Sequence, residues 1–597
     1  MYVEADNPSK EKLKSLLEQY GRGELLSIVD EVPGLLKTYD RSIILWNVLG
    51  AAYLGINDFL NAGECFKKTV ELKPDFAEGY CNLGLALHKQ NKLKLAEGSY
   101  KHALKLKPDF SECYNNLGHV YRVQKKHLDA IKCYEEALKF DPKLTEALIY
   151  KFQQQAHICD WRYCAEYKVQ RDHFANTKEA IEPFSLISKE DNLKLQKKCA
   201  QSCAQLKYRR PHFDGFGRPS KRPQKLRIGY FSSDYFNHPV MHLMTGVFDT
   251  HNRDLFEILA FYIGPDVNDE MTQRAKDSVD EFIDIRSLSD EEAAALARSK
   301  KIDIAIDMNG YSGKSRSGLF AYGAAPIQIN YLGYPSTMGA DFIDYIIGDE
   351  ILIPEESRGF YSEKIVYMPH TYMPNDNKRE ISDKFMSRAD FGLPDNAFVF
   401  CCFNNNYKLS PREFDIWMRL LEKVDGSVLW LTSSNEWAEK NLQDEAEKRG
   451  INRERLVFAQ RVEHLSEHLA RHRLADLFVD TFHYNAHVTA ADALWAGLPV
   501  VTRLGNQFAA RVAASLLNAV GLPELITESD EDYEALALEL AMNNEKLAAI
   551  KQKLLDNRLS KPLFDTKIYT RHIENAYDQA FERWRSGLVP THIKVEE

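Results

Sequence analysis

Three segments of the chain carry most of the residue types that do chemistry: NNNYK at 404–408, EHLARHRLADLFVDT at 467–481, and NAHVTAADALWAGLPVVT at 485–502. Asn485, His487 and Thr489 precede an apolar helical run, where free backbone N–H groups and the positive end of the helix dipole suit a phosphate. The competing reading is ordinary helix capping by Asn485 or Thr489. Lys408 follows a β-rich run, so its ammonium could neutralise a diphosphate at a cleft edge. A solvated surface lysine would have the same sequence.

These segments need strands and helices to hold them. From Leu226 onward LRIGYF, FEILAFYI, KIDIAIDM, PIQINYLGY and KIVYM are short β-rich runs separated by helical stretches. One of these, SDEEAAALARSK, opens on a Ser289/Glu292 capping-box pattern. A second series, AFVFCCF, GSVLWL, RLVF, ADLFVD and LPVVT, begins near residue 397 and alternates with amphipathic helices such as PREFDIWMRLLEKV. The pattern predicts two doubly wound α/β units with a cleft at the carboxyl ends of their strands. There is no G-x-G-x-x-G after the first strand and no G-x-x-x-x-G-K-[ST], which disfavours dinucleotide and P-loop chemistry.

The N-terminal third is a repeat array. Trp46, Leu49, Gly50, Tyr53, Ala62, Phe66 and Pro74 recur 34 residues on as Tyr80, Leu83, Gly84, Leu87, Ala96, Tyr100 and Pro108. They recur again as Tyr114, Leu117, Gly118, Tyr121, Ala130, Tyr134 and Pro142. That order of large and small residues is the tetratricopeptide helix hairpin. Residues 9–42 keep helical periodicity without the signature, as a capping repeat would. Trp161 reads as a packing anchor at the end of the array. The stretch 206–225, with three prolines, two glycines and seven Lys or Arg, reads as a solvated linker, with an anionic-ligand site as the alternative. The expected division is 1–160 for the repeats (about 43–76, 77–110 and 111–144, with a degenerate cap), 161–225 for a helical transition and linker, 226–385 for the first α/β domain, and 386–597 for the second, with closing C-terminal helices.

Composition sets the outer limits. The 597 residues are 44% apolar, 27% charged and 11% aromatic, enough to bury several cores. A net charge of -10 has the wrong sign for a dedicated nucleic-acid or anionic-membrane binder. No apolar run approaches the ~18 residues of a spanning helix, and the opening MYVEADNPSK lacks a signal core. The ten cysteines form no C-x-x-C pair, so reduced, mostly buried thiols are expected. A soluble cytoplasmic protein is the expectation.

Taken together, these features make the chain resemble the O-linked N-acetylglucosamine transferases, in the bacterial form with a short repeat array. The matching stretches run nearly the whole length: the repeats, CDW at 159–161, LRIGYFSSDYFNHPVMHL, DMNGY, APIQINYLGYPSTMG, YSEKIVYMPHTY, FNNNYK, the NAH-x-T-x-x-D-x-LWAG-x-P stretch, RVAASLL and PLFDTKIYT. The resemblance implies a glycosyltransferase-B fold that moves a sugar from a UDP donor to Ser or Thr of proteins, with inversion, without metal and without any cofactor. The one D-x-D, Asp530-Glu531-Asp532, precedes YEALALEL and reads as the acidic first turn of a helix.

The resemblance also implies roles. Lys408 matches the lysine on the diphosphate; His487 and Thr489 match the phosphate loop, and Asp492 the ribose carboxylate. His468 and Arg471 match residues around the uracil. His238 matches the histidine beside the sugar, with a positioning or proton-transfer role. Leu332, Gly333 and Pro335 match the segment lining the sugar and acceptor pocket. Asn82 and Asn116 match an asparagine ladder that holds an extended acceptor, with Val48 breaking it in the first full repeat; the alternative is ordinary exposed asparagines on a concave face.

Four positions depart from the animal pattern. Asn405 stands for Gln, Val488 for the first Thr of the phosphate loop, Leu465 for a lysine near the nucleotide, and Tyr484 for a cysteine near the N-acetyl group. Expected partners are UDP-N-acetylglucosamine or a related nucleotide sugar, and protein acceptors bound through the repeats, with no nucleic acid and no membrane span. The alternatives are an N-glycosyltransferase using UDP-glucose, an O-fucosyltransferase using GDP-fucose, and a catalytically silent repeat scaffold.

Overall fold

The computed structural model describes residues 6–177, 179–208, 215–313 and 315–597. The opening MYVEA and the centre of the basic linker, 209–214, lie outside the described residues. Two compact units result, Met1–Gln155 and Ala156–Glu597.

The first unit is a stack of helix hairpins. The repeats are Ile43–Gly55 with Phe59–Leu72, Ala77–Lys89 with Leu93–Leu106, and Ser111–Val123 with His127–Phe140. Each pair closes because a glycine on the first helix meets a large ring on the second. A Cβ on Gly50, Gly84 or Gly118 would come within 2.8, 2.7 and 2.6 Å of the rings of Phe66, Tyr100 and Tyr134. All three rings are fully buried. The turn between the helices takes one left-handed residue at the same period, Asn57, Asn91 and Lys125, with φ of 64°, 59° and 57°. Residues 9–42 form the helices Lys10–Gly21 and Leu25–Leu36, as the capping reading expects. Val48 is buried in the core of that end, Asn82 donates to Asn47 at 3.0 Å, and Asn116 reaches the Cys81 thiol at 3.9 Å.

The second unit holds two sheets, both parallel. Its strands are β1 (Leu226–Ser232), β2 (Phe256–Tyr262), β3 (Glu281–Asp284), β4 (Ile304–Asp307), β5 (Ile327–Asn330), β6 (Tyr345–Gly348) and β7 (Lys364–Tyr367) in the first series. The second series is β8 (Val399–Cys402), β9 (Val428–Thr432), β10 (Leu456–Ala459), β11 (Leu477–Val479), β12 (Val500–Arg503) and β13 (Ile526–Thr527), and β14 (Ile593–Lys594) closes the chain. Among the described residues the orders are β14-β7-β6-β5-β4-β1-β2-β3 and β10-β9-β8-β11-β12-β13. Strand burial on both faces requires helices on both sides, and the near-continuous apolar runs of β1, β4, β8 and β11 meet that requirement.

The C-terminal segment departs from the simple division of the sequence. Read from the sequence as closing helices of the second α/β domain, it returns to the first sheet. The helix Thr566–Arg585 packs on Pro239–Thr250; Tyr577 and Tyr230 share a hydroxyl contact at 3.0 Å, and Glu574 sits 2.8 Å from His251 Nδ1. β14 then pairs with β7. An amphipathic helix states which face is apolar but not which sheet receives it.

Trp161 is an anchor, as expected. Its indole donates to the Leu409 carbonyl at 3.2 Å and its ring meets Phe414 edge-on. The neighbouring carbonyl of His157 accepts from Asn435, and that of Ile158 from Asn441. These bonds fasten 157–161 to the second α/β domain, and the Trp161 bond reaches the residue that follows the 406–408 turn. In the linker, Arg222 pairs with Asp578 at 2.5 Å. All ten cysteines are free thiols, and no described helix is long and apolar enough to cross a membrane.

Candidate functional site

The site is built from turns at the carboxyl ends of strands. β8 runs into the short turn Asn406–Lys408, β11 runs into the loop 480–487, and that loop feeds the helix Val488–Ala496. One buried carboxylate ties them together. Asp480 accepts from the backbone N–H of Thr481 and Ala486, from the Thr502 hydroxyl and from Asn404. Asn404 in turn donates to Thr481 and accepts from the Thr489 hydroxyl at 2.5 Å.

Lys408 is buried, which excludes the reading of a solvated surface lysine. Its ammonium donates to the Asn485 carbonyl at 2.9 Å and lies 3.8 Å from the centre of the Tyr484 ring. Burial pulls its pKa down to about 8, against the opposing pull of Asp480 and Cys402. Burial likewise pushes Asp480 up to about 6, although hydrogen bonds and Lys408 hold it back.

The capping alternative for the next helix fails on geometry. His487 is the residue that enters the helix Val488–Ala496, and no side chain caps it. Asn485 donates to the Thr481 carbonyl at 2.6 Å, and its own oxygen is buried without a partner. The Thr489 hydroxyl is turned to Asn404. The N-terminal end of this helix therefore stands open beside a buried ammonium, an arrangement suited to a multiply charged phosphate. His487 pairs through Nε2 with the Ala509 carbonyl at 3.1 Å. Burial and Lys408 hold its pKa well below the ordinary value, so the ring is neutral and Nε2 carries the proton.

A second cluster lies along the helix Leu465–Arg471. Arg471 stacks over Phe403 at 4.5 Å and donates to His468 Nδ1 at 2.6 Å. Burial drops the His468 pKa to about 2. His468 Nε2 is 3.9 Å from Asp492, whose other oxygen accepts from Arg379 at 2.5 Å. Leu465 opens the helix and is half-buried.

The first sheet supplies a further group of polar side chains. His238 follows β1 and caps the helix Pro239–Thr250 through Nδ1, which accepts from the Val240 N–H at 3.4 Å. Asp234 lies 3.7 Å away and is itself held by Asn309. Burial lowers the His238 pKa despite Asp234, and a neutral ring accepting at Nδ1 presents an Nε2–H donor. His242, one turn on, has its pKa lowered to about 4 by burial and by the charge of Arg379, which links this group to the Asp492 cluster.

The loop after β5 is tightly constrained. Leu332 has φ of 76°, a conformation that a branched side chain adopts only under constraint. A Cβ on Gly333 would lie 2.2 Å from the Met308 carbonyl oxygen. Tyr334 shares an apolar cluster with Tyr484, and Pro335 beside it is buried.

The structure thus brings together Lys408, Tyr484, His487 and Thr489, and separately Arg471, His468 and Asp492. Asn405 is exposed, and Val488 is half-buried against the main apolar core. Asn82 and Asn116 belong to the other unit. Asp480, Asn404 and Arg379 were missed by sequence reasoning. An acid at the end of the apolar run ADLFVD was the available signal for Asp480; Arg379, in an irregular segment, offered none. The Asp530–Asp532 triplet forms the first turn of a helix, as expected, and Asp530 pairs with Arg412 and Arg503.

An array of tetratricopeptide hairpins followed by two all-parallel α/β sheets, with an anion-suited helix end on the second, defines a glycosyltransferase-B fold protein. Residues 187–385 and 378–573 match glycosyl transferase family 41, and residues 44–76, 77–110 and 111–144 match tetratricopeptide repeats. The chain belongs to glycosyl transferase family 41. It is 37% identical, over 70% of its length and 44% of the relative's, to the probable UDP-N-acetylglucosamine–peptide N-acetylglucosaminyltransferase SEC of Arabidopsis thaliana. It is 30% identical, over 62% of its length and 42% of the relative's, to the UDP-N-acetylglucosamine–peptide N-acetylglucosaminyltransferase of Caenorhabditis elegans. The chain therefore spans less than half the length of these two relatives. A mutant form of the Thermobaculum terrenum O-GlcNAc transferase superposes with a TM-score of 0.68 at 25% identity, covering 91% of this chain and 98% of that one.

Proposed function

We propose that this chain transfers N-acetylglucosamine from UDP-N-acetylglucosamine to Ser or Thr hydroxyls of proteins, with inversion and without a divalent metal. The observation that carries the reading is the buried Lys408 ammonium beside the uncapped helix Val488–Ala496. As the sugar–phosphate bond breaks, negative charge grows on the departing diphosphate. A fixed ammonium and aligned N–H groups stabilise that charge without reorganising. Asp492, His468 and Arg471 serve the nucleoside, and His238 presents an Nε2–H donor that positions the sugar or acceptor. Residues 226–385 form the acceptor side and 386–597 the donor side. The ten free thiols support a reducing, cytoplasmic setting.

One observation favours a second donor. The Tyr484 ring fills the space against Lys408, where a smaller residue would leave room for an acetamido group, and this supports UDP-glucose. Calorimetric titration in EDTA, with and without added magnesium, tests the main reading. UDP is expected to bind equally in both. Binding lost on chelation refutes the metal-free reading, and preference for GDP points to a fucosyl donor. Hydrolysis rates for UDP-N-acetylglucosamine, UDP-glucose and GDP-fucose then separate the donors.

The repeats serve as the acceptor-selecting part, residues 1–160, through Asn82 and Asn116. Replacing both by Ala is expected to weaken glycosylation of a protein acceptor, at ~0.5–1.5 kcal/mol per amide contact. Donor hydrolysis and UDP affinity should stay unchanged. A matched fall in all three would refute the division of labour.

A further inference from the structure

The pair Arg379–Asp492 is more elaborate than charge neutralisation requires. Both side chains are nearly fully buried, at 3% and 6% exposure. Arg379 is clamped at three points: Nη1 on Asp492 Oδ1 at 2.5 Å, Nε on the Asp376 carbonyl at 3.3 Å, and its own carbonyl accepting from the Trp495 indole at 3.1 Å. Its remaining amino group, Nη2, is buried and has no partner. Burying a guanidinium N–H unpaired is costly, so a position that keeps one open points to a group that arrives with a ligand.

The other side of Asp492 has matching geometry. Arg471 donates to His468 Nδ1, so the neutral His468 ring carries its hydrogen on Nε2. That N–H is separated from Asp492 Oδ2 by 3.9 Å, too far for a direct bond. A single hydroxyl oxygen placed about 2.8 Å from each atom subtends close to a right angle there, and can accept from Nε2–H while donating to Oδ2. The Nη2–H of Arg379 is the one donor of this pair left without a partner.

We propose that Arg379 orients the Asp492 carboxylate toward the ribose hydroxyls that the family resemblance already assigns to it. The inference rests on the donor-site reading above and adds to it the residue that orients the carboxylate. Arg379 is a positioning residue: it fixes which oxygen of Asp492 stays free and sets selectivity for ribose over deoxyribose.

Calorimetry of the full chain with UDP, 2′-deoxy-UDP and 3′-deoxy-UDP tests it. The wild type is expected to bind each deoxynucleotide at least about tenfold more weakly than UDP, the scale of one hydrogen bond to a charged group. Arg379→Met should weaken UDP until the ratio approaches one, and Arg379→Lys should restore part of it. The double variant Arg379→Met/Asp492→Asn removes the stranded carboxylate, so that the ratio is also measured where burial of an unpaired charge cannot unfold the protein. A wild-type ratio retained in Arg379→Met or in the double variant overturns the proposal, as does a wild type that binds all three nucleotides equally. Failure of the wild type to bind any of them refutes the donor-site reading itself.

Discussion

Replacing Lys408 by Ala lowers transfer by at least ~10²-fold, about 2.7 kcal/mol of transition-state stabilisation, with the fold intact. On the proposed reading the ammonium sits where the diphosphate charge develops, held at 2.9 Å by the Asn485 carbonyl. Single-turnover rates measure the loss, and near-wild-type rates would refute the mechanism. The pH profile supplies an independent check. Burial lowers the Lys408 pKa to about 8, so the charged form is present below that pH and is lost above it. Wild-type kcat/KM should therefore fall as pH rises through about 8. Lys408→Arg, which stays charged, should lack that basic limb whatever its absolute rate.

Gly333→Ala is expected to be nearly as damaging through position alone. The added Cβ would meet the Met308 carbonyl oxygen at 2.2 Å and the Asn309 Cα at 3.2 Å, both backbone atoms that cannot swing aside. The loop is already held at Leu332 in a positive-φ conformation and stiffened by Pro335, so relief must displace the loop as a whole. A shift of about 1 Å at a reacting site costs on the order of 10²-fold in rate. UDP affinity, set by the second sheet, should remain close to wild type. Transfer rates and UDP calorimetry on the same preparation distinguish this outcome from general unfolding; unchanged transfer would remove the loop from the site.

The features legible in sequence were those with a period or a run. Gly50, Gly84 and Gly118 faced their aromatic partners as the 34-residue repeat predicted, and ten apolar runs became strands. β3 was missed because EFID is a half-exposed edge with acids at both ends, and β6 because YIIG is a run of only four residues set between acids. β13 and β14 were missed because two residues carry no periodicity. Burial of Lys408 was not legible: NNNYKLSP is polar, and the contacts that enclose the ammonium come from the Tyr484 ring, 76 residues later, and the Asn485 carbonyl beside it. The Arg379–Asp492 pair spans 113 residues and joins an irregular segment to a helix, a contact that no local pattern encodes. For Asn485 and Thr489 the sequence favoured capping over anion binding, and only the direction of their side chains decided against it.

The return of the last helix and of β14 to the first sheet bears on the order in which the protein can be made. On the ribosome, the first sheet emerges well before the residues that finish it. Tyr230 and Tyr331 meet their hydroxyl partners Tyr577 and Tyr569 only after more than two hundred further residues have appeared, and the edge of β7 stays unpaired until Ile593. The second sheet, by contrast, is complete by Thr527. The half that is synthesised first therefore matures last, and during elongation it presents an open parallel edge and unsatisfied buried hydroxyls. Nascent chains of this architecture are most exposed to misassociation and chaperone capture at that sheet, and a lesion near residue 570 is felt there, hundreds of residues upstream.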